Sequence, residues 1–228
     1  MVADNIKNIF DKIDKACSRC GRSSNEIKLI GVSKTVSTER IIEAYRAGLK
    51  VFGENKAQEL KEKAEILSDY DDIEWHFIGH LQTNKVKYVI DKAEYIHSVD
   101  SLKLAEEIEK RAKKISKVQN VLLEIKTSDE VSKFGLTDID EIYRVAEFCK
   151  NSANLKLIGL MTIAPFVDDE NVVRNAFINL RNLKEKLISE GFEMTELSMG
   201  MTGDFEIAIE EGATMIRIGT AIFGARSN

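Results

Sequence analysis

Proline occurs once in 228 residues, which excludes a proline-rich linker or a polyproline segment. Cysteine occurs three times, too few and too uneven for the disulfide framework of a small secreted domain, so a reducing, cytoplasmic setting is expected. Cys17 and Cys20 form a C-x-x-C, but zinc takes about four ligands and Cys149 is the one remaining thiol. No metal site is expected; two thiols one turn apart on a helix is the simpler reading. Long apolar runs are missing too. The longest uncharged stretch, residues 157–167, falls short of the ~20 residues that span a bilayer. The N-terminus interrupts its apolar pattern with acidic residues, unlike a signal peptide. No membrane partner is expected. Positive charge is not in surplus either: 33 basic against 38 acidic residues leave a net charge of -5, which repels a polyanion. The densest basic stretch, residues 110–117, follows Glu106, Glu107 and Glu109 and reads as an ion-paired helix face. Nucleic acid is not an expected partner.

What remains is an ordinary globular composition, 43% apolar and 31% charged. Ile6, Ile9, Phe10, Ile13 and Cys17 recur at helical spacing before Gly21, which predicts a leading helix with a glycine stop. From residue 28 onward, short apolar runs alternate with charged, helically periodic stretches, the pattern of repeated βα units. The runs at 28–33, 49–53, 74–79, 94–98, 120–126, 155–161, 195–198 and 214–219 make eight predicted strands, with starts 19 to 40 residues apart. Helices are predicted at 38–47, 101–113, 138–149 and 171–189, several opening on Ser, Thr, Asp or Asn as an N-cap requires. Eight such units close into an α/β fold of the (β/α)8 TIM-barrel type, here with one extra N-terminal helix, read as a single domain over residues 1–228. A doubly wound open sheet is the alternative, but the first βα turn, SKTVST, lacks the glycine pattern of a dinucleotide site.

Barrel chemistry sits on the rim beyond the strand C-termini, and the residues there are polar. Ile30, Val32 and Lys34 share strand parity, so if the first two face the barrel interior the Lys34 ammonium does as well. An amine drawn toward an apolar interior loses hydration and becomes available to attack a carbonyl; the competing reading is a lysine that snorkels outward. The last two βα loops, LSMGMTGD and RIGTAIFG, place Gly200, Gly203 and Gly219 beside the hydroxyls of Ser198, Thr202 and Thr220. Such loops let backbone N–H groups approach a phosphate. Arg217 shares parity with Met215 and faces the pocket if Met215 packs inward; the competing reading is an ion pair with Glu210 or Glu211. An amine, a phosphate cradle and a donor arginine in one barrel mouth suit pyridoxal 5′-phosphate. A class I Schiff-base aldolase acting on a sugar phosphate would use the first two equally well.

The motifs VSKT, FGENKAQE, WHFIGHLQTNK, HSVD, LIGLM, LSMGMTGD and RIGTAIFGAR resemble the pyridoxal phosphate homeostasis protein family, barrels similar to the N-terminal domain of alanine racemase. The resemblance covers nearly the whole chain from residue 28 to residue 226. It implies Lys34 as the residue that holds the cofactor as an internal aldimine, Arg217 facing the pyridine nitrogen, Ser198, Thr202, Gly219 and Thr220 at the phosphate, and Asn55 and Met201 lining the pocket. It also implies buffering and delivery of intracellular vitamin B6 without catalytic turnover, with apo-enzymes as recipients. A monomer is expected. His80 and the Thr202-Gly203 pair depart from the common family pattern; Thr202 keeps a hydroxyl, while an imidazole at the mouth leaves chemistry open. A pyridoxal-phosphate-dependent amino-acid racemase or decarboxylase is therefore the alternative enzyme reading. The few residues after Gly219 leave no room for a second catalytic domain, and an arginine at the pyridine nitrogen keeps the ring neutral, a weak electron sink. Both favour cofactor keeping. His76, His80 and His97 are read as hydrogen-bonded strand residues rather than general bases.

Overall fold

The computed structural model describes residues 1–127 and 134–224. The leading helix α1 (Val2–Cys20) buries Ile6, Ile9, Ile13, Ala16 and Cys17 along one stripe, the 3.6-residue period seen in the sequence. It ends at Gly21, whose left-handed φ of 69° a glycine adopts without steric cost. Cys20 donates its thiol to Ala16 O, so the two thiols of the C-x-x-C belong to the helix.

Eight parallel strands follow and close on themselves in chain order: β1 (Lys28–Val32), β2 (Val51–Glu54), β3 (Glu74–Phe77), β4 (Tyr95–Val99), β5 (Gln119–Glu124), β6 (Leu155–Met161), β7 (Glu196–Ser198) and β8 (Met215–Ile218). Closure runs through β1 against β8, with Ile30 opposite Arg217. Between the strands lie α2 (Thr38–Arg46), α3 (Ala57–Ile66), α4 (Leu102–Lys114), α5 (Ile139–Asn151), α6 (Glu170–Ser189) and α7 (Phe205–Glu210), and α8 (Thr220–Phe223) follows β8. Side-chain caps start three of them: Ser101 accepts from Leu104 N, Asp138 from Glu141 N and Asp169 from Asn171 N. The unit after β3 differs from the rest, because a 3₁₀ segment (Thr83–Tyr88) stands where the others carry an α-helix. The basic stretch lies on the end of α4, with Arg111 Nε 2.6 Å from Glu107 Oε1, as its i, i+4 spacing predicts.

The alternation of side chains along each strand separates two cores. The larger fills the space between sheet and helices. The smaller, Ile30, Leu122, Ile158, Met161 and Met215, comes from strands that face one another across the barrel interior. These two layers leave the strand C-termini as the place where polar groups gather.

Candidate functional site

Lys34 sits two residues beyond β1, in a turn held from both sides. Ser33 is fully buried; its hydroxyl donates to Glu54 Oε1 at 2.6 Å, and its carbonyl accepts from Lys63 Nζ at 2.6 Å. Thr35 has a φ of 63°, a left-handed conformation that costs a β-branched residue about 1–3 kcal/mol. Its N–H donates to Glu59 Oε1 at 2.6 Å. Lys63 Nζ bridges both carboxylates, 2.8 Å from Glu54 and 2.6 Å from Glu59. Burial pushes the Glu54 carboxyl up against the pull of Lys63. Burial opposes Glu59 as well, yet Lys63 and the Thr35 N–H hold it below the ordinary carboxylate range. Residues of β2 and α3 thus fix the backbone on either side of Lys34.

The turn opens onto a cavity of about 660 Å³. Lys34, Met201, Thr202, Arg217, Gly219 and Thr220 all line it, although they come from loops far apart in sequence. The cations Lys34, Arg40 and Arg217 face it against the single carboxylate of Asp204, a balance that suits an anion. Thr220 Oγ1 lies 3.2 Å from Thr202 Oγ1, joining the two loops. Their glycines differ in what they need. Gly200 has a φ of 96°, and a Cβ there would fall 2.7 Å from Ala208 Cβ, so the fold itself demands glycine. At Gly203 a Cβ would meet nothing within 4 Å, and at Gly219 nothing nearer than Val32 at 3.4 Å. Both glycines border the cavity, and only something inside it would collide with a side chain at these positions.

Arg217 is 4% exposed, with Met215 of the inner core two residues before it. Nη2 donates to Thr162 O at 2.8 Å and Nη1 to Ser198 Oγ at 2.5 Å. The ion pair with Glu210 or Glu211 is not formed: those carboxylates pair with Arg19, Arg174 and Arg181. Burial pulls the guanidinium down to about 10, with Asp204 and Glu124 acting the other way, so it stays charged at neutral pH.

Two predicted positions lie elsewhere than at the cavity wall. Ser198 is fully buried, its hydroxyl engaged by Arg217 and by His97 Nδ1 at 2.8 Å, and it is not among the residues that line the cavity. Asn55 borders an adjoining cleft of about 800 Å³, with Thr35, Val36 and Ser37 between the two spaces. Its Oδ1 is buried without a partner.

Sequence reasoning read His76, His80 and His97 as hydrogen-bonded but missed their partners, and it missed Glu124. His76 and His97 are fully buried and bonded to each other, Nδ1 to Nε2, at 2.7 Å. Glu124 is 7% exposed at the end of β5. The register Val99 opposite Leu123 brings Asp100 beside it. Burial first, and Asp100 second, push the Glu124 carboxyl up to about 7, with Arg217 opposing. At the rim, His80 Nδ1 lies 3.0 Å from Asp100 Oδ2 and its ring stacks on Phe134 at 3.7 Å. The shared inward parity of His76 and Glu74 was readable; the meeting of β3, β4 and β7 side chains was not.

The alanine racemase N-terminal domain family matches residues 5–227. A pyridoxal phosphate homeostasis protein of Aquifex aeolicus is 48% identical over 224 residues, 98% of this chain and 97% of that one. The chain belongs to the pyridoxal phosphate homeostasis protein family. Among solved structures of comparable kind, PipY of Synechococcus elongatus, crystallised with PLP bound, superposes with a TM-score of 0.86 at 32% identity, covering 98% of this chain and all of PipY. An alanine racemase of Clostridium difficile shares the fold alone, with a TM-score of 0.77 at 15% identity; this chain spans 58% of it. The eight-stranded barrel of this chain is thus the fold that the racemase shares with it.

Proposed function

We propose that this chain, as a single domain, binds pyridoxal 5′-phosphate in the 660 Å³ cavity, holds it covalently on Lys34, and keeps and delivers vitamin B6 in the cytoplasm without turning over a substrate of its own. The observation that carries this reading is the meeting of Lys34, Arg217 and the Thr202–Thr220 pair in one cavity. Apo-enzymes that require the cofactor are the recipients, and the protein works as a monomer. Support comes from the names of relatives such as that of Aquifex aeolicus and from the PLP-bound structure of PipY.

The residues present fit the group. Gly203 and Gly219 leave room that a Cβ would take, and the threonine hydroxyls beside them donate to a phosphate. Arg217 presents N–H donors that it does not release, so it donates to a ring nitrogen without protonating it. The tethers on Ser33 and Thr35 keep Lys34 at the mouth of the same space. When bound, the cofactor supplies an aldehyde that condenses with an amine. Purified protein should carry a visible absorption band that Lys34→Ala abolishes; a colourless wild-type protein after loading, or an unchanged band in the variant, overturns the reading.

One observation favours a second reading, amino-acid chemistry on the bound cofactor. Glu124, 7% exposed, has its carboxyl pushed up to about 7 by burial and Asp100, the range a general acid or base needs at neutral pH. Solvent deuterium entering the α-position of an added amino acid would support it, and absence of exchange across the proteinogenic set would remove it.

A further inference from the structure

A chain of short hydrogen bonds crosses the barrel interior behind the cavity. Lys28 Nζ and His76 Nε2 both lie 2.6 Å from Glu74 Oε1. His76 Nδ1 is 2.7 Å from His97 Nε2, His97 Nδ1 is 2.8 Å from Ser198 Oγ, and Arg217 Nη1 is 2.5 Å from the same oxygen. The proposed function uses only the last of these residues.

Donor and acceptor chemistry fixes the direction of every link. A guanidinium has no acceptor, so Arg217 donates to Ser198 Oγ. The Ser198 hydroxyl is fully buried, and the acceptor beside it is His97 Nδ1; its proton therefore points there. His97, accepting at Nδ1, carries its proton on Nε2 and donates to His76 Nδ1. His76 in turn carries its proton on Nε2 and donates to Glu74, a carboxylate held down at about 2 by His76 and Lys28 against the effect of burial. A proton entering at His76 would have to reverse the whole chain and strand the Ser198 hydroxyl between two donors. Burial pushes both imidazoles below their ordinary value; of the charged groups whose fields reach them, Lys28 and Arg217 act the same way, and Glu74 and Glu196 oppose at His76.

We infer that Ser198, His97, His76 and Glu74 are positioning residues for Arg217, a one-way relay that runs Arg217→Ser198→His97→His76→Glu74 and ties the guanidinium to the opposite end of the barrel strands. Each link turns its lone pair toward Arg217, so the relay offsets part of the cost of burying that charge. With Nη1 given to Ser198 and Nη2 to Thr162 O, the remaining N–H groups have a fixed aim. The inference rests on the reading of Arg217 as the group that meets the pyridine nitrogen.

Side-chain nitrogen NMR of the protein without cofactor tests the direction of the relay. Both His76 and His97 should be neutral Nε2–H tautomers at pH 7; an Nδ1–H tautomer or an imidazolium at either ring overturns it. His97→Phe and His97→Gln test the positioning role in the cofactor-loaded protein. The glutamine amide supplies one acceptor and one donor and can continue the relay, whereas phenylalanine cannot. Phenylalanine should shift the visible band and speed cofactor loss by about tenfold, and glutamine should restore both; equal behaviour of all three proteins overturns the role. If His97→Phe does not fold by circular dichroism, the tautomers and the glutamine variant still decide. Correct tautomers in a protein that takes up no cofactor would leave the relay standing and remove the functional reading instead.

Discussion

Two sets of side chains fill the inside of this barrel by different physics. Ile30, Leu122, Ile158, Met161 and Met215 pack as an apolar cluster, while Glu74, His76, His97, Ser198 and Arg217 form a hydrogen-bonded line. Strand β8 contributes to both, Met215 to the first and Arg217 to the second. Apolar packing has no direction and depends on volume. A buried polar chain has direction and depends on every partner being present. The first stabilises the barrel; the second gives one guanidinium a fixed orientation beside a cavity. Polar residues in a barrel core are therefore not defects in packing here, since four of them form a line that ends on a single guanidinium.

The contrast predicts a ranking of substitution effects. Ile30→Ala should destabilise most, by about 2–5 kcal/mol in urea unfolding, whereas the volume-conserving Leu122→Met should cost less than about 1.5 kcal/mol. A large loss in Leu122→Met would show that the apolar set is as exacting as the polar one. Glu124→Gln should go the other way. The folded carboxyl, raised from 4.5 to about 7, binds a proton that the unfolded chain has released between those values, so stability falls as pH rises through that window. The glutamine variant should be more stable at pH 8 by about 3 kcal/mol and should lack that slope; denaturant melts at several pH values check both. Ser198→Ala removes the shared partner of Arg217 and His97 and should cost about 1–3 kcal/mol, with cofactor retention reduced as well. Loss of stability with full retention would separate the polar line from the site.

The smallest effect is acid sensitivity. His76 and His97 are held below their ordinary value of 6.5. The unfolded chain gains protons on these rings as pH falls through about 6.5 and the folded chain does not, so stability should decline below that pH. In a Glu124→Gln background, which removes the opposing slope, His97→Phe should flatten the decline; an unchanged pH profile would show that the pair is not neutral in the folded state.

The strands were legible because each is a short apolar run between turn signals, and all eight lie within a few residues of the positions predicted. The unit after β3 was harder, since the polar stretch 83–88 folds as a 3₁₀ segment with no helical stripe to mark it. At the site, parity sufficed for Arg217, whose neighbour Met215 is in the inner core. It was insufficient for Lys34, because β1 ends at Val32 and the left-handed Thr35 sets the turn. The role of Ser198 followed the glycine-rich loop in sequence, but its hydroxyl is taken by partners from β4 and β8. Contacts between strands of different number leave no periodic trace in a single chain. Of Lys126 and Lys133, which in the sequence leave a second cofactor site or a transfer route open, Lys133 lies outside the described residues, as does Arg226 of the last motif.

Borohydride reduction of the loaded protein, followed by peptide mapping, is the most direct measurement of where the cofactor is held. The cofactor mass should be found on the peptide that contains Lys34, and Lys34→Ala should carry none. Recovery of the label on Lys126 or another lysine, with Lys34 unmodified, would contradict the assignment of this cavity as the cofactor site.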